Sequence, residues 1–286
     1  MVGSRRTVRV GSAAVSYIVS GRKDAPAVVL LHGGGFDATT VSWRDVRPAL
    51  SESFRVYALD WPGYGESDPP ERTPTTEYYI EVLDGFLDAV GIEQPALLGV
   101  SLGGGIALGY ALAHPTRVRR LVAVDSYGLG STVPGHPITT SIVGSVLSTP
   151  LWWLIRRSRL LALLSIWLVI HPPNLTTELF DDVLVQLDRP DATNAWQAFQ
   201  RAELGRWGVQ TNYVDVLPAL SVPTLFVHGE QDALVPVEWA QRAAMLVPCS
   251  DLRVLSACGH WAPRERPDAV VDVARPFLVS SDDRGK

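Results

Sequence analysis

Short, mostly apolar runs recur along this chain, unbroken from Ala27 to Leu31, with turns and segments of helical spacing between them. Ala27 to Leu31 is one such run; Phe54 to Leu59, Pro95 to Val100, Val118 to Val124, Thr224 to His228 and Leu252 to Leu255 are others. A strand that is apolar at every position needs cover on both faces. Between these runs, Thr76 to Val90 places Tyr79, Ile80, Val82, Leu83, Phe86, Leu87 and Val90 at helical spacing and stops at Gly91. Leu102–Ala113, Pro236–Leu246 and Pro267–Leu278 read as further helices, and Val8–Val10 with Val15–Val19 as a hairpin around Gly11. This alternation predicts an α/β fold: a mostly parallel central sheet flanked by helices, with right-handed crossovers.

The alternation stops after Ser126 and resumes after Tyr213. The expected organisation is therefore a core formed by residues 1–126 and 214–286, with residues 127–213 inserted as a helical cap. Its longest apolar stretches, Ile142–Ile155 and Leu160–Ile170, are separated by Arg156, Arg157 and Arg159. Neither reaches the ~18–20 apolar residues of a spanning helix, so no stable membrane insertion is expected. Trp152, Trp153, Ile155, Leu163, Leu164, Trp167 and Leu168 are candidates to line an apolar pocket or to pack the cap onto the core.

Composition narrows the partners. The chain has 286 residues, 47% of them hydrophobic, and a net charge of -5. That is a globular composition, and its acidity argues against nucleic acid. Cys249 and Cys258 cannot form a disulfide framework and lack metal-ligand spacing. The polar, Arg-bearing start has no apolar core like that of a signal peptide, so a cytoplasmic protein is expected. The expected partner is a small-molecule substrate, with homodimerisation left open and neither cofactor nor metal implied.

Ligands of parallel sheets bind beyond the carboxyl ends of strands, and three such ends carry reactive side chains. Gly99-Val100-Ser101-Leu102-Gly103 fits Gly-x-Ser-x-Gly between a strand and a helix, the context in which that motif exposes a serine hydroxyl on a sharp turn. A serine needs a base to become nucleophilic. Of the six histidines, His260 alone lies on a loop after the last strand with glycine before it. His32 and His228, each followed by glycine, read as residues that fix loops. The base needs an orienting carboxylate; Asp232 follows a core strand, with Asp125 and Glu230 as alternatives. For a developing oxyanion, the backbone N–H of Leu102 and one from the loop His32-Gly33-Gly34-Gly35, with Gly34 favoured over Gly35, are the candidate donors.

These segments resemble the α/β-hydrolase superfamily over residues 8–126 and 219–278. The carriers are Leu31–Gly35, Asp60-Trp61-Pro62-Gly63-Tyr64-Gly65-Glu66-Ser67, Gly99–Gly104, Gly229–Asp232 and Gly259-His260. The resemblance implies a Ser101, Asp232, His260 triad. Ser101 stands where haloalkane dehalogenases and epoxide hydrolases carry aspartate. The chain is also similar to the carbon–carbon bond hydrolases of aromatic ring cleavage, in its triple glycine, in Gly128-Leu129-Gly130 and in Trp261. It departs from them at Phe36, where they carry proline, and near Val183, where they carry a substrate-holding arginine; Arg189, Arg201 and Arg206 are candidate substitutes. The expected activity is hydrolysis of a carboxylic ester of an apolar small molecule through an acyl-enzyme, as in a carboxylesterase. The alternatives are C–C hydrolysis of a vinylogous diketone acid and a non-hydrolytic ligand-binding protein on the same fold. Gly35, Phe36, Trp153 and Trp261 are the expected substrate contacts.

Overall fold

A computed structural model describes residues 3–132, 143, 145, 148–205 and 208–280. Arg206, His136, Trp207 and Ile142 lie outside the described residues. In chain order the elements are β1 (Ser4–Val10), β2 (Ala13–Ser20), β3 (Ala27–Leu31), α1 (Thr39–Ser42), α2 (Val46–Leu50), β4 (Arg55–Leu59), α3 (Thr76–Val90), β5 (Ala96–Val100), α4 (Leu102–Ala113) and β6 (Arg120–Val124). Among the described residues, four α-helices follow before the sheet resumes: α5 (Ser148–Arg157), α6 (Arg159–Trp167), α7 (Thr177–Leu187) and α8 (Pro190–Glu203). A short ribbon, β7 (Leu204–Gly205) and β8 (Gly208–Val209), precedes β9 (Thr224–Gly229), α9 (Val237–Leu246), β10 (Ser250–Leu255), α10 (Ala262–Glu265) and α11 (Pro267–Val279).

The sheet has the order β1-β2-β4-β3-β5-β6-β9-β10. Only β2 runs against its neighbours; β4, β3, β5, β6, β9 and β10 are parallel. β5 and β6 are buried at every position, Arg120 at the start of β6 included, which explains why both read as largely apolar runs. The edges are different. β1 is exposed over most of its length and carries Arg5, Arg6 and Arg9, charges that discourage further pairing. β10 pairs with β9 from Ser250, earlier than its apolar run begins, because an edge strand needs apolar side chains on one face only. The sequence reading passes over α1, α2 and α10, which are too short to show a period.

α3 shows how local chemistry sets helix limits. The Thr75 hydroxyl accepts the Tyr78 N–H at 3.1 Å, and Gly91 ends the helix in the left-handed region at φ 71°. Its apolar face (Tyr79, Leu83, Phe86, Leu87) packs on one side of the sheet with α4 and with Phe199 of α8. The opposite side buries Trp43, Phe54 and Val270, together with Trp152, Ile155 and Ile166 of α5 and α6. Helices α5–α8 thus reach both cores, and partly buried Trp196 touches the two. No helix among the described residues is long and apolar enough to cross a membrane.

Candidate active site

β5 and β3 are neighbours in the sheet, but the chain reaches β4 between them. Their carboxyl ends therefore flank a point where the strand order reverses, the usual place for a ligand. Ser101 sits there with φ 52° and ψ -117°. Such backbone costs about 1–3 kcal/mol and persists only when its surroundings over-determine it. Here the Ser101 N–H donates to Val124 O at 2.9 Å, and its carbonyl accepts from Gly105 and Tyr127. The turn leaves no room beside it. A Cβ on Gly99 would lie 2.3 Å from Gly103 O, and one on Gly103 would lie 2.1 Å from Leu31 O.

The loops after β9 and β10 complete the site. His260 Nε2 lies 2.8 Å from Ser101 Oγ, and Nδ1 lies 2.7 Å from Asp232 Oδ2. With Nδ1–H donated to the carboxylate, Nε2 is left to accept the serine proton, the tautomer a base needs here. Asp232 Oδ1 accepts the Leu234 and Val235 N–H groups at 2.8 and 2.9 Å. Burial alone would raise the Asp232 pKa, but His260 and His228 outweigh it and hold the carboxyl well below the usual range. Burial likewise works against charge on His260, yet Asp232 prevails and raises the imidazole pKa. The arrangement can withdraw a proton from an alcohol and stabilise the imidazolium that results.

The alternatives for the acid lie elsewhere. Asp125 accepts the Gly229 and Ala262 N–H groups at 2.8 and 3.0 Å, and burial pushes its pKa up to about 6. Glu230 pairs with the Gln231 amide at the surface. His32 fixes its loop: Nδ1–H donates to Gly33 O at 2.7 Å, and Nε2 accepts the Trp61 N–H at 3.1 Å. His228 has a further contact. Its Nε2 donates to Val235 O at 2.8 Å and lies 3.3 Å from Asp232 Oδ2, so a second imidazole faces the same carboxylate. Asp125, His228 and Asp232 cluster within 4.8 Å. Their polar atoms serve these protein hydrogen bonds.

Two buried carboxylates that brace the catalytic loops have no place in the sequence reading. Glu265 accepts from the N–H groups of Gly259 at 2.9 Å and Trp261 at 3.1 Å, the residues on either side of His260. It also accepts from His171 N–H and the Asn174 amide, so the segment after α6 is tied to the histidine loop. His260 N–H itself donates to Val169 O at 2.9 Å. Asp37 serves the glycine loop in the same way. It accepts the Gly33 N–H at 2.7 Å and the Ser42 hydroxyl, and Ser42 Oγ accepts Trp261 Nε1–H at 2.8 Å. The signal for Asp37 is an acid two residues after the glycine run Gly33–Gly35; for Glu265 no spacing points to it.

Ser101 opens into a cavity of about 450 Å³. Gly34, Gly35, Phe36, Leu102, His260 and Trp261 line it. Gly34 lies against the Trp196 ring, where a Cβ would be 2.2 Å from Cζ3. Leu102 opens α4, and the N–H groups of a helix's first turn have no partner within the helix. The upper wall comes from α5, α6 and α8: Trp152 against Phe36 (ring centroids 5.4 Å apart), Ile155, Leu168, and Trp196 stacked on Phe199 at 5.6 Å. Trp153 requires a correction. It lies outside the cavity, 53% exposed, with the Arg157 guanidinium 4.3 Å above its ring. One residue along a helix turns a side chain by about 100°, so Trp152 and Ile155 face inward and Trp153 does not. Leu164 and Trp167 are exposed for the same reason. Trp196 and Phe199 went unrecognised, although Ala192, Ala195 and Phe199 stand at helical spacing.

No Lys or Arg is among the described residues lining the cavity; its carboxylates are Asp37 and Glu203. Glu203 is tied by N–H groups of Thr76 and Thr211 and by hydroxyls of Tyr127 and Thr211. Val183 is buried where the resemblance implied an arginine. Arg189 pairs with Glu66 and the Gly65 carbonyl, and Arg201 bonds Thr149 and Gln197.

Comparison with known proteins agrees with this layout. The profile of the alpha/beta hydrolase fold family matches residues 26–267. A 2-hydroxymuconate semialdehyde hydrolase of Pseudomonas sp. (strain CF600) is 32% identical over 260 residues, covering 89% of this chain and 87% of its own. A 2-hydroxy-6-oxo-6-phenylhexa-2,4-dienoate hydrolase from Rhodococcus sp. strain RHA1 superposes with a TM-score of 0.81 over 98% of this chain and 99% of its own, at 24% identity, a likeness of fold. A carboxylesterase of Bacillus subtilis gives a TM-score of 0.78 at 25% identity, covering 98% and 92%.

Proposed function

This chain belongs to the alpha/beta hydrolase fold family, and from that premise we propose that it is a serine hydrolase cleaving a carboxylic ester of an uncharged, apolar substrate. The wall of the cavity carries this reading. It is largely aliphatic and aromatic, it offers no Lys or Arg among its described residues, and Glu203 would disfavour an acidic substrate.

His260 Nε2 takes the Ser101 proton as Oγ attacks the ester carbonyl. The oxyanion is held by the N–H groups of Leu102 and Gly34; one such donor is worth about 2.7–4 kcal/mol of barrier. Collapse expels the alcohol, which receives the proton from His260. Water then enters, gives its proton to His260 and attacks the acyl-enzyme, and collapse returns that proton to Ser101 as the acid leaves. Asp232 holds the imidazole in register throughout. Phe36, Trp152, Trp196 and Trp261 surround the acyl chain, with α5–α8 acting as a cap that sets its size.

A second reading is favoured by the 32% identity to the 2-hydroxymuconate semialdehyde hydrolase. On that reading the bond cleaved is carbon–carbon in a vinylogous diketone acid, and the substrate carboxylate needs a cation that Arg189 and Arg201 do not bring to the cavity. The deciding experiment offers p-nitrophenyl esters of increasing acyl length and a yellow ring-cleavage product to the same preparation. Nitrophenolate release that grows with acyl length, without bleaching, is expected. Bleaching faster than any ester is turned over would replace the ester reading by the second.

A further inference from the structure

The outward face of α5 and α6 gathers most of the exposed large apolar side chains among the described residues. Leu151, Trp153 and Leu154 of α5 are exposed, as are Leu160, Leu164 and Trp167 of α6 and Leu168 just beyond it. Positions 160, 164 and 167–168 form one stripe along α6, and 151 and 154 a second along α5. The inward residues of the same helices, Trp152, Ile155, Ala162 and Ile166, are buried. Scattered exposed leucines need no explanation, but a contiguous patch does.

Its charge identifies the occupant. From Ser126 to Thr177 the sequence has no Asp or Glu, in a chain of net charge -5, and its charged residues there are Arg156, Arg157 and Arg159. Arg157 stacks on exposed Trp153. Arg159 is 76% exposed, 3.8 Å from Asp181, and Arg156 donates to Leu187 O at the margin of the patch, near Asp188. Tryptophan and leucine on one face with arginine beside them suit the boundary between lipid headgroups and acyl chains. Leu168 both lines the cavity and is 69% exposed, so the patch is continuous with the cavity wall.

We propose that the outward face of α5 and α6 is a docking surface for an anionic lipid interface. The helices lie on the interface, Trp153, Leu160, Leu164 and Trp167 enter it, and the arginines meet the headgroup charge. Docking does not depend on which bond the enzyme cleaves. If the ester reading also holds, an apolar substrate passes from the interface to Ser101 past Leu168.

Flotation of the full chain with phosphatidylcholine vesicles, alone or mixed with phosphatidylglycerol, tests this. Salt-sensitive binding to the mixed vesicles, with blue-shifted tryptophan emission, is expected. Arg157→Gln with Arg159→Gln should weaken that partitioning by about fivefold for each arginine removed. Leu160→Asp with Leu164→Asp should weaken it at least as much, while leaving the turnover of p-nitrophenyl acetate and the far-UV spectrum unchanged. Failure of the wild type to bind mixed vesicles, equal binding to both vesicle types, or binding that neither variant weakens overturns the proposal. So does a dimer in solution that Leu160→Asp with Leu164→Asp dissociates while no vesicle is bound.

Discussion

The lower and upper walls of the cavity are built on different principles. The lower wall consists of loops at strand ends, and directed bonds fix nearly every group in it. Ser101 is locked by Val124 and Gly105, Asp232 by two peptide N–H groups, the glycine loop by Asp37, and the residues flanking His260 by Glu265. The upper wall consists of side chains from α5, α6 and α8 held by packing, with rings against rings at 5.4 and 5.6 Å. Hydrogen bonds fix atoms to within tenths of an ångström, as proton transfer requires. Apolar contact is non-directional and tolerates substitution at constant volume. The lower wall can thus hold one chemistry while the upper wall sets what is admitted.

The largest effect should come from the lower wall. Ser101→Ala is expected to reduce kcat for a p-nitrophenyl ester by about a millionfold, the scale reached when a serine nucleophile is removed, with the melting temperature nearly unchanged. A fall shared equally by variants of the upper wall would erase the contrast.

Asp232→Asn should cost about 10⁴-fold in kcat, and its pH profile sharpens the comparison. Asp232 raises the His260 pKa. On the proposed mechanism His260 acts unprotonated, so wild-type kcat/KM should fall as pH drops through a value above that of an ordinary imidazole. In the variant this acid limb should move to lower pH. An unmoved limb would mean that the carboxylate positions the ring without tuning it.

The smallest effect belongs to the upper wall. Trp196→Ala should raise KM for medium-length acyl esters by about tenfold to a hundredfold, from the apolar area lost, and leave the acetyl ester nearly unaffected. A comparable loss of kcat on the acetyl ester would show instead that Trp196 holds Gly34 in place.

Some of this was open to reading along the chain. β3, α3 and α4 run between the residues that the apolar runs and caps suggest, because a parallel strand and a capped helix write their limits locally. Ser101, Asp232 and His260 follow β5, β9 and β10, and topology brings such ends together. Glu265 and the contact of His228 with Asp232 left no trace, since a buried carboxylate that accepts peptide N–H groups has no characteristic spacing. Trp152 and Trp153 are adjacent, and only the seating of α5 on the core selects the inward one.

Taken by itself, the sequence determined the layered parallel sheet and the sharp turn at Ser101, because strand hydrophobicity, helix caps and glycine sterics act over a few residues. The tertiary structure alone decided which carboxylate meets His260, which tryptophan faces the cavity and which helical face remains in solvent. Those outcomes depend on helix phase and on contacts between segments far apart in the chain, where no local rule reaches.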